Sequence, residues 1–479
     1  MKTRSFPSSM LVLAGALVAA LSACAPVGPD YRRPDVDLPA AFPGAPGSAE
    51  DAARALIPAQ WWMLYGDPIL DDLVGTTLRN NVDLRRAAAQ IEESEAVLSE
   101  AAASIFPEVD LGGSSTRSRS STFNAQTLPP GTPVISNSTR FALSTSFELD
   151  FWGKLRRATE AARAQAFGTR YGRDVVALTL AGTTVQSYFT LRSLDAQIAV
   201  TRAILATRDD ALGVAQNRAR GGLTSDLDVN LAQGVRADAA LQLAELQRQR
   251  ALIEHQLGSL TGKLDLTVAP GDLDRLPVPA TPPVGLPSSL IDRRPDVRQA
   301  EEAVASTSAL IGVAKAAQLP TFSLTGSVGV QSAALGNLLR SGAQIWSIGP
   351  SLLFPIFDAG KYAARTREAE ARQRQAVAAY EKTIETAFRE VADALSNAQQ
   401  ARATVPDLQR KVDAARNALR LSRLRYEAGY SAYLDVLDAQ RTENAAELAL
   451  VQNRQAQLVY SVDLMKSLGG GWSAGNLIQ

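Results

Sequence analysis

Two stretches of this chain repeat one another, and the repeat limits what the chain can fold into. Residues 218–233 read RARGGLTSDLDVNLAQ, and residues 425–440 read RYEAGYSAYLDVLDAQ. The shared positions keep one offset and are Arg218/Arg425, Gly222/Gly429, Leu227/Leu434 and Gln233/Gln440. A shared offset indicates an internal duplication. In each copy a long helical pattern stops at a glycine and resumes after a few polar residues, which predicts the turn, or tip, of a helical hairpin.

The similarity extends outward from both tips. Residues 83–111 match residues 296–324, and Lys154 matches Lys361. Each repeat is therefore predicted to run helix, proline, strand pair, long helix, tip and returning helix. The predicted segments are a signal peptide at 1–23, an N-terminal anchor arm at 24–80, repeat 1 at 81–265, a proline-rich linker at 266–292, repeat 2 at 293–468 and a tail at 469–479. Strand hairpins are predicted at about 108–151 and 321–357, and tips near 221–226 and 428–433.

Composition excludes some classes of partner. The 479 residues include 49 Lys and Arg against 49 Asp and Glu, so the net charge is zero. Balanced charge and sparse aromatic residues argue against a nucleic-acid partner and against a highly charged disordered chain. Length alone would allow about two to four domains. The duplication favours one unit built twice.

The N-terminus carries a secretion signal. An apolar run from Met10 to Ala23 is too short to span a membrane and is typical of a signal peptide. It ends in Leu-Ser-Ala-Cys24, which resembles a bacterial lipobox, and the following Ala25 favours sorting to the outer membrane. Cys24 is the only cysteine, so it cannot form an internal disulfide. We predict a covalent lipid on Cys24; an ordinary signal peptide with an incidental cysteine is the alternative.

Two stretches alternate as membrane strands do. In residues 141–151 the odd positions are mostly large and apolar (Phe141, Leu143, Phe147, Leu149, Phe151) and the even positions small or polar, and residues 321–331 alternate similarly. This two-residue alternation is typical of a barrel with lipid outside and water inside, and also of a half-buried soluble sheet. The chain offers about four strands, whereas a membrane barrel needs at least about eight. A barrel would therefore require several chains.

The helical patterns are too long for an ordinary globular core. Residues 154–220 contain no proline and predict roughly 100 Å of helix. The matching long helix of repeat 2 contains Pro406, where we expect a bend or break. Heptad positions run from Leu434 to Met465, mostly apolar but including Arg441, Asn444 and Gln455, and from Val377 to Ala394, which predicts coiled-coil seams. The fold class is mainly α with a small membrane β part; a coiled-coil bundle without a bore is the alternative.

No catalytic pattern is present in the sequence. His255 is the only histidine and lies in a helical pattern, so we interpret it as a packed or surface residue. Metal-ligand spacing and a phosphate-binding loop of the GxxxxGK[ST] type are both missing from the sequence. We therefore predict that the chain is not an enzyme and needs no cofactor or metal, apart from the lipid on Cys24.

Several motifs together resemble a known family. They are APVGPDYRRP after the lipobox, WWMLYGDPILDDLV at 61–74, NVDLRRAAAQI, FELDFWGKLRR, RRPDVRQAE, IGVAKAAQLPTFSLTG, WSIGPSLLFPIFDAGK, AFREVADAL and SLGGGW. These motifs resemble the TolC-like outer membrane efflux factors, in their lipoprotein branch. The resemblance covers essentially the whole chain after the signal peptide, and no single motif carries it.

The resemblance implies an architecture and partners. It implies a homotrimer with one shared transmembrane β-barrel, continued by an α-helical tunnel through the periplasm. The function implied is a passive outer membrane exit duct of a tripartite efflux pump, lipid-anchored at its N-terminus. The implied partners are a periplasmic membrane-fusion adaptor, an inner-membrane pump of the resistance-nodulation-division type and outer membrane lipids. The exported substrates are left open.

The resemblance also implies a gate at the tips. Asp435 and Asp438 stand at the family's constriction aspartates, Asp228 is the matching acid of repeat 1, and Tyr426 matches a gate tyrosine. Ser431 stands where some relatives have a gate arginine, which leaves Arg425, Arg423 or Arg218 as candidate partners for the acids. The alternative is that these carboxylates only stabilise helix N-termini.

Two other functions remain open from the sequence. One is the outer membrane duct of a type I protein secretion system, and the other is a non-conducting spacer lipoprotein of the periplasm. The lipobox and the Trp-Trp motif favour the efflux branch.

Overall fold

The structure is a computed structural model that describes residues 26–39, 41–43, 57–121, 133–282 and 290–472. The predicted signal peptide, Cys24 and most of the predicted C-terminal tail lie outside these residues. None of the helices in the described ranges combines the length and the apolar character that crossing a membrane requires.

Between residues 68 and 261 the described chain forms four helices and two strands, and all but the first helix lie in the predicted repeat 1. In chain order they are α1 (Pro68–Asn80), α2 (Val82–Ala103), β1 (Glu108–Arg119), β2 (Ile135–Leu149), α3 (Lys154–Arg220) and α4 (Asp226–Thr261). The uninterrupted α3 has 67 residues, as its proline-free sequence predicts. Short 3₁₀ helices occupy Trp61–Tyr65 before α1 and Leu273–Arg275 after α4.

From Leu290 the order of helix, strand pair, long helix and returning helix recurs in the described chain, with the long helix divided in two. These elements are α5 (Leu290–Arg293), α6 (Pro295–Ala316), β3 (Thr321–Ser332), β4 (Gln344–Leu353), α7 (Lys361–Ala403), α8 (Val405–Glu427) and α9 (Tyr433–Ser467). The predicted interruption at Pro406 is confirmed: α7 ends at Ala403, and α8 begins with the proline in its first turn. Proline is tolerated there because the N–H groups of a first turn have no helical acceptor.

The four strands form one antiparallel sheet in the order β1-β2-β3-β4. Leu143 of β2 lies opposite Leu111 of β1 and Val328 of β3, and Val328 lies opposite Trp346 of β4. This row belongs to the apolar face that the alternation predicts, and Trp346 is 77% exposed on it. Each repeat contributes one hairpin, and the two hairpins are joined between β2 and β3.

The opposite face of the sheet is polar. One row across the strands is Asp110, Ser144, Ser327 and Ser347, and the last two hydroxyls are hydrogen-bonded at 2.8 Å. Another row contains Arg140, which donates to Ser327 at 3.4 Å. The predicted division into one apolar and one polar face is therefore confirmed.

The contacts divide the chain into two compact units, each drawing on both repeats. Of the described residues, the first unit contains 26–35, 90–121, 133–169 and 300–380, and so includes the sheet. The second contains residues 36–89, 170–299 and 381 onward, and so includes both tips. These units are interleaved along the chain. The predicted segment boundaries describe the sequence duplication and stay a prediction.

The Trp-Trp motif is part of the core of the second unit. Trp61 and Trp62 are buried with Tyr65 of the same 3₁₀ helix and with residues of α1, α3, α4 and α9, among them Tyr188, Leu257 and Leu458. The Gly-Asp-Pro sequence that follows starts α1. Gly66 adopts φ +61° as it ends the 3₁₀ helix, and the Asp67 carboxylate accepts the N–H of Ile69 at 2.9 Å, so Asp67 is the N-cap residue.

The predicted heptad seams are largely correct. Tyr380, Ile384 and Val391 of α7 are buried, as are Leu437, Leu458, Val462 and Met465 of α9. The heptad also places Leu434 and Arg441 in the α9 seam, and both positions are wrong because both side chains are exposed, that of Leu434 to 61%. Leu434 lies in the first turn of α9, beside the tip, where packing is decided by the turn rather than by the heptad.

Candidate functional site

Both predicted tips end in the same backbone turn. The matched glycines Gly222 and Gly429 have φ of +70° and +80°, a region that costs glycine little because it lacks a Cβ. In each tip the residue after this glycine donates its N–H to the carbonyl oxygen five residues earlier, at 2.9 Å in the first tip and 2.8 Å in the second. The duplicated sequence therefore forms two equivalent turns.

The two tips pack on one another through a small apolar cluster, which we call the tip cluster. Its buried members come from α3, α4, α8 and α9 and are Ala215, Ala232, Leu419, Tyr433, Val436 and Leu437. Tyr426 packs against it from the end of α8. The two hairpins are thus held to one another by apolar contacts close to their ends.

A cation and two aromatic rings lie at the edge of the tip cluster. The rings of Tyr426 and Tyr433 are 5.1 Å apart, with an interplanar angle of 47°. The guanidinium carbon of Arg218 lies 5.3 Å from the centre of the Tyr426 ring. Burial raises the pKa of Tyr433 above its ordinary value, and Tyr426 and Asp228 add to the shift. Tyr433 therefore stays neutral at physiological pH.

The constriction candidates Asp435 and Asp438 lie on α9 just after the second tip. Both side chains are exposed, and they are three residues apart, so they share a helix face. Neither has a hydrogen-bonded or ionic partner among the described residues. Arg425, the candidate cation at the end of α8, is also exposed. The arrangement leaves two carboxylates free to act on solvent, ions or another chain.

The matching acid of the first tip has a different environment. Asp228 is half-buried, and its carboxylate accepts a hydrogen bond from the Thr224 hydroxyl. The two tips are therefore equivalent in backbone but not in the exposure of their acids. At the second tip, the Ser431 hydroxyl is buried and has no hydrogen-bond partner in the described part of the chain.

A cavity of about 490 Å³ lies between α3, α8 and α9, farther along the helices from the tips. Its charged lining residues are Arg208, Arg423, Glu443 and Glu447. Burial raises the pKa of Glu443, and the nearby Glu447 adds to the shift; burial lowers the pKa of Arg208. No group of three or more His, Cys, Asp or Glu side chains that could hold a metal occurs among the described residues.

Sequence reasoning missed two residues of this region. The repeat marks Tyr433 only as a residue of the tip, and it does not mark Arg208 at all. A signal for Tyr433 exists, because it stands seven residues after Tyr426 across a tight hairpin turn, which brings the two side chains together. Arg208 carries no local signal, because its partner is the Val235 carbonyl of the neighbouring helix.

Comparison with known proteins decides the family. The sequence model described as outer membrane efflux protein matches residues 73–263 and again residues 286–470. The chain belongs to this outer membrane efflux protein family. The two matched segments each contain one tip, in agreement with the duplication, and the resemblance to TolC-like efflux factors is confirmed.

Other members of this family match over nearly the full length. The chain is 33% identical to the solvent efflux pump outer membrane protein SrpC of Pseudomonas putida, with 99% of each chain covered. A solved structure of the outer-membrane channel OprN has 30% identity and a TM-score of 0.84, covering 93% of this chain and 99% of that one. The open state of the Neisseria gonorrhoeae MtrE outer membrane channel has 29% identity and a TM-score of 0.82, covering 93% and 98%.

These relatives distinguish between the predicted functions. The family is one of outer membrane efflux channels, and both solved neighbours are outer membrane channels. The chain is therefore an outer membrane efflux protein rather than a type I secretion duct or a spacer. The mainly helical fold with a small four-stranded sheet is that of the solved channels.

Proposed function

We propose that this chain is the exit duct of a tripartite efflux system, passively conducting small molecules from an inner-membrane pump to the outside. The observation that carries the proposal is the full-length likeness to outer-membrane channels, in a chain whose sheet has one apolar and one polar face. The relative SrpC is described as the outer membrane protein of a solvent efflux pump. For this chain the substrate class is small molecules.

The sheet supports a shared barrel. β1 and β4 are its edges, and in a closed barrel every edge must pair. Because β1 and β4 run in opposite directions, β4 of one chain can pair antiparallel with β1 of another. Three chains would supply about twelve strands, within the range of membrane barrels. The family resemblance gives the number as three, and we propose a homotrimer.

The dimensions of the apolar face suit a membrane. On β2 it runs from Phe141 to Leu149, eight residue steps, which is about 27 Å along the strand. At a strand tilt of about 40° this gives a band roughly 20 Å tall, close to the apolar belt of membrane barrels. The face with Ser144, Ser327 and Arg140 would then line a watery lumen. The lipid on Cys24 would be a second attachment to the same membrane.

The tips support docking of a partner. Each tip exposes a matched pair of apolar side chains, Leu223 with Leu227 in the first and Tyr430 with Leu434 in the second. Exposed apolar residues repeated at equivalent places favour a protein contact. We assign this surface to a periplasmic membrane-fusion adaptor, which would join the duct to a pump of the resistance-nodulation-division type.

The same tips would form the gate. In a trimer, Asp435 and Asp438 become rings of carboxylates, which attract cations and repel anions. Asp228, Tyr426 and Arg425 are the remaining gate candidates. The exposure of Asp435 and Asp438, and their lack of partners among the described residues, support a role toward the bore over simple helix capping.

Planar-bilayer recording tests the function. The purified full-length protein should migrate as a trimer in mild detergent and give unitary currents. Replacing both acids, Asp435→Ala with Asp438→Ala, should raise resting conductance and weaken cation selectivity with little loss of thermal stability. A monodisperse conducting monomer would refute the shared barrel. Lower stability with unchanged conductance would assign the two acids to helix capping.

A further inference from the structure

The second tip lacks the arginine that some relatives have at position 431, and the structure brings a different arginine to the Tyr426 ring. Ser431 occupies the arginine position, and its buried hydroxyl has no hydrogen-bond partner in the described chain. The arginine that the geometry brings into contact with the Tyr426 ring is Arg218, which belongs to the other hairpin. It lies in the last turn of α3, whereas Tyr426 lies in the last turn of α8.

The contact is made with the face of the ring. The guanidinium carbon of Arg218 is 5.3 Å from the Tyr426 ring centre, inside the range of cation–π attraction. The Tyr426 hydroxyl makes no hydrogen bond to any described residue, so the ring supplies the contact. The Arg218 Nε is buried without a hydrogen-bond partner in the same part of the chain, so water does not compete for that side of the guanidinium.

A second ring holds the first in place. Tyr433, 7% exposed, lies 5.1 Å from Tyr426 and belongs to the buried tip cluster. Asp228, the nearest matched acid, accepts a hydrogen bond from Thr224, and Arg218 is within ion-pair distance of no described carboxylate. The contact of Arg218 with Tyr426 and the contact of Tyr426 with Tyr433 therefore join the end of one hairpin to the end of the other, and neither is a salt bridge.

We propose that Arg218 and Tyr426 form a cation–π latch between the two hairpins of one chain, holding the tips closed in place of the arginine absent at position 431. Tyr433 is a positioning residue that orients the Tyr426 ring. The inference rests on the proposed channel function. Loss of one partially desolvated cation–π contact shifts a closed-to-open equilibrium by about two- to thirty-fold.

Four single variants of the full-length trimer separate the contribution of the ring face from that of the hydroxyl. Arg218→Gln removes the cation, Tyr426→Leu removes the ring, and Tyr426→Phe keeps the ring without its hydroxyl. Arg220→Gln is the matched control, because Arg220 lies in the same last turn of α3, exposed and hydrogen-bonded to Asn217. The first two should raise the resting open fraction in planar bilayers by the stated factor, and the last two should match the unaltered protein.

The double variant Arg218→Gln with Tyr426→Leu should open no further than either single variant, because both remove one contact. An unchanged open fraction in Arg218→Gln would overturn the latch. So would equal opening in Tyr426→Phe and Tyr426→Leu, since the hydroxyl would then carry the closure. Additive opening in the double variant would also refute a shared contact.

Amide hydrogen exchange at 221–225 and 428–432 in the detergent-solubilised trimer provides a readout that does not need current. Arg218→Gln and Tyr426→Leu should exchange faster there than Tyr426→Phe and Arg220→Gln. If no protein conducts but this exchange pattern holds, the channel function fails and the contact between hairpins stands. If the unaltered protein conducts and the exchange rates of all four variants are equal, the latch fails and the channel stands.

Discussion

Arg33 donates two hydrogen bonds to the carboxylate of Glu301, from Nε at 2.8 Å and from Nη2 at 3.1 Å. The hydroxyl of Tyr31 donates to the same carboxylate at 3.1 Å, and Glu301 is only 8% exposed. Arg157 of α3 donates to Asp30 at 2.6 Å. These contacts dock residues 26–35 on the unit that contains the sheet. We call residues 26–35 the N-terminal strap, and these hydrogen bonds hold the strap against the unit.

Glu301→Ala should detach the strap. The change removes the buried acceptor of three hydrogen bonds from Arg33 and Tyr31, so we expect a loss of about 2–3 kcal/mol in the free energy of unfolding. Denaturant unfolding measures this loss, and limited proteolysis should cleave earlier within residues 26–35. Glu368→Ala is the matched control, since Glu368 pairs with Arg372 on the surface of α7, where both side chains are mostly exposed. Equal effects of the two substitutions would contradict the strap.

Cys24→Ser should abolish acylation and leave the sheet and helices able to form. Labelled palmitate should enter the unaltered protein and not the variant. Partial loss of function is expected, because the proposed barrel itself holds the membrane. Incorporation of palmitate into the variant would show that Cys24 is not the modified residue.

Gly213→Ala and Gly234→Ala should each stabilise the protein. Both glycines lie inside helices, α3 and α4, and a Cβ added at either meets nothing within 4 Å. Alanine favours a helix interior over glycine by about 0.5–1 kcal/mol. Gly258→Ala is the contrasting variant, because its Cβ would lie 2.8 Å from the Lys263 carbonyl oxygen, so it should destabilise. Thermal unfolding of the three variants checks the sign of each effect.

Asp463→Asn should change how stability depends on pH. Asp463 is half-buried, and burial raises its pKa, although Gln186 donates to it at 2.6 Å and Lys466 is near. A carboxyl group whose pKa is raised by folding contributes stability below its unfolded pKa and loses that contribution as pH rises through the folded value. Asparagine keeps an acceptor for Gln186 and carries no charge.

The asparagine variant should therefore be more stable than the unaltered protein at about pH 7–8, with the difference vanishing near about pH 3. Thermal unfolding across this range measures the difference, and the exposed Asp210→Asn serves as control. A difference that grows on acidification would reverse the assigned sign.

The features that could be predicted are the strand, the helix break and the turns whose causes lie within a few neighbouring residues. The alternation from Phe141 to Leu149 indicates the strand and its faces, because side chains alternate along any extended chain. The break at Pro406 follows from its missing N–H. Both tips follow from their glycines, which permit a positive φ.

Contacts between distant segments could not be predicted. Arg33 and Glu301 are 268 positions apart, and the sequence around either residue does not predict the contact with the other. The family resemblance leaves Arg218 as one of three candidate partners for the acids, yet its ring contact with Tyr426 depends on how the two hairpins pack. The exposure of Leu434 has the same origin, since the turn and not the heptad sets its surroundings.

The unpaired edges of the sheet have a genetic consequence. In the proposed trimer the edge strands of each chain pair with those of its two neighbours. One chain with a damaged β1 or β4 therefore prevents barrel closure in an assembly that also contains intact chains. With equal expression of damaged and intact copies, only about one assembly in eight would be wholly intact. An allele with an edge-strand lesion should therefore be dominant over the intact allele. It should make a cell that still produces the normal protein more sensitive to the exported molecules.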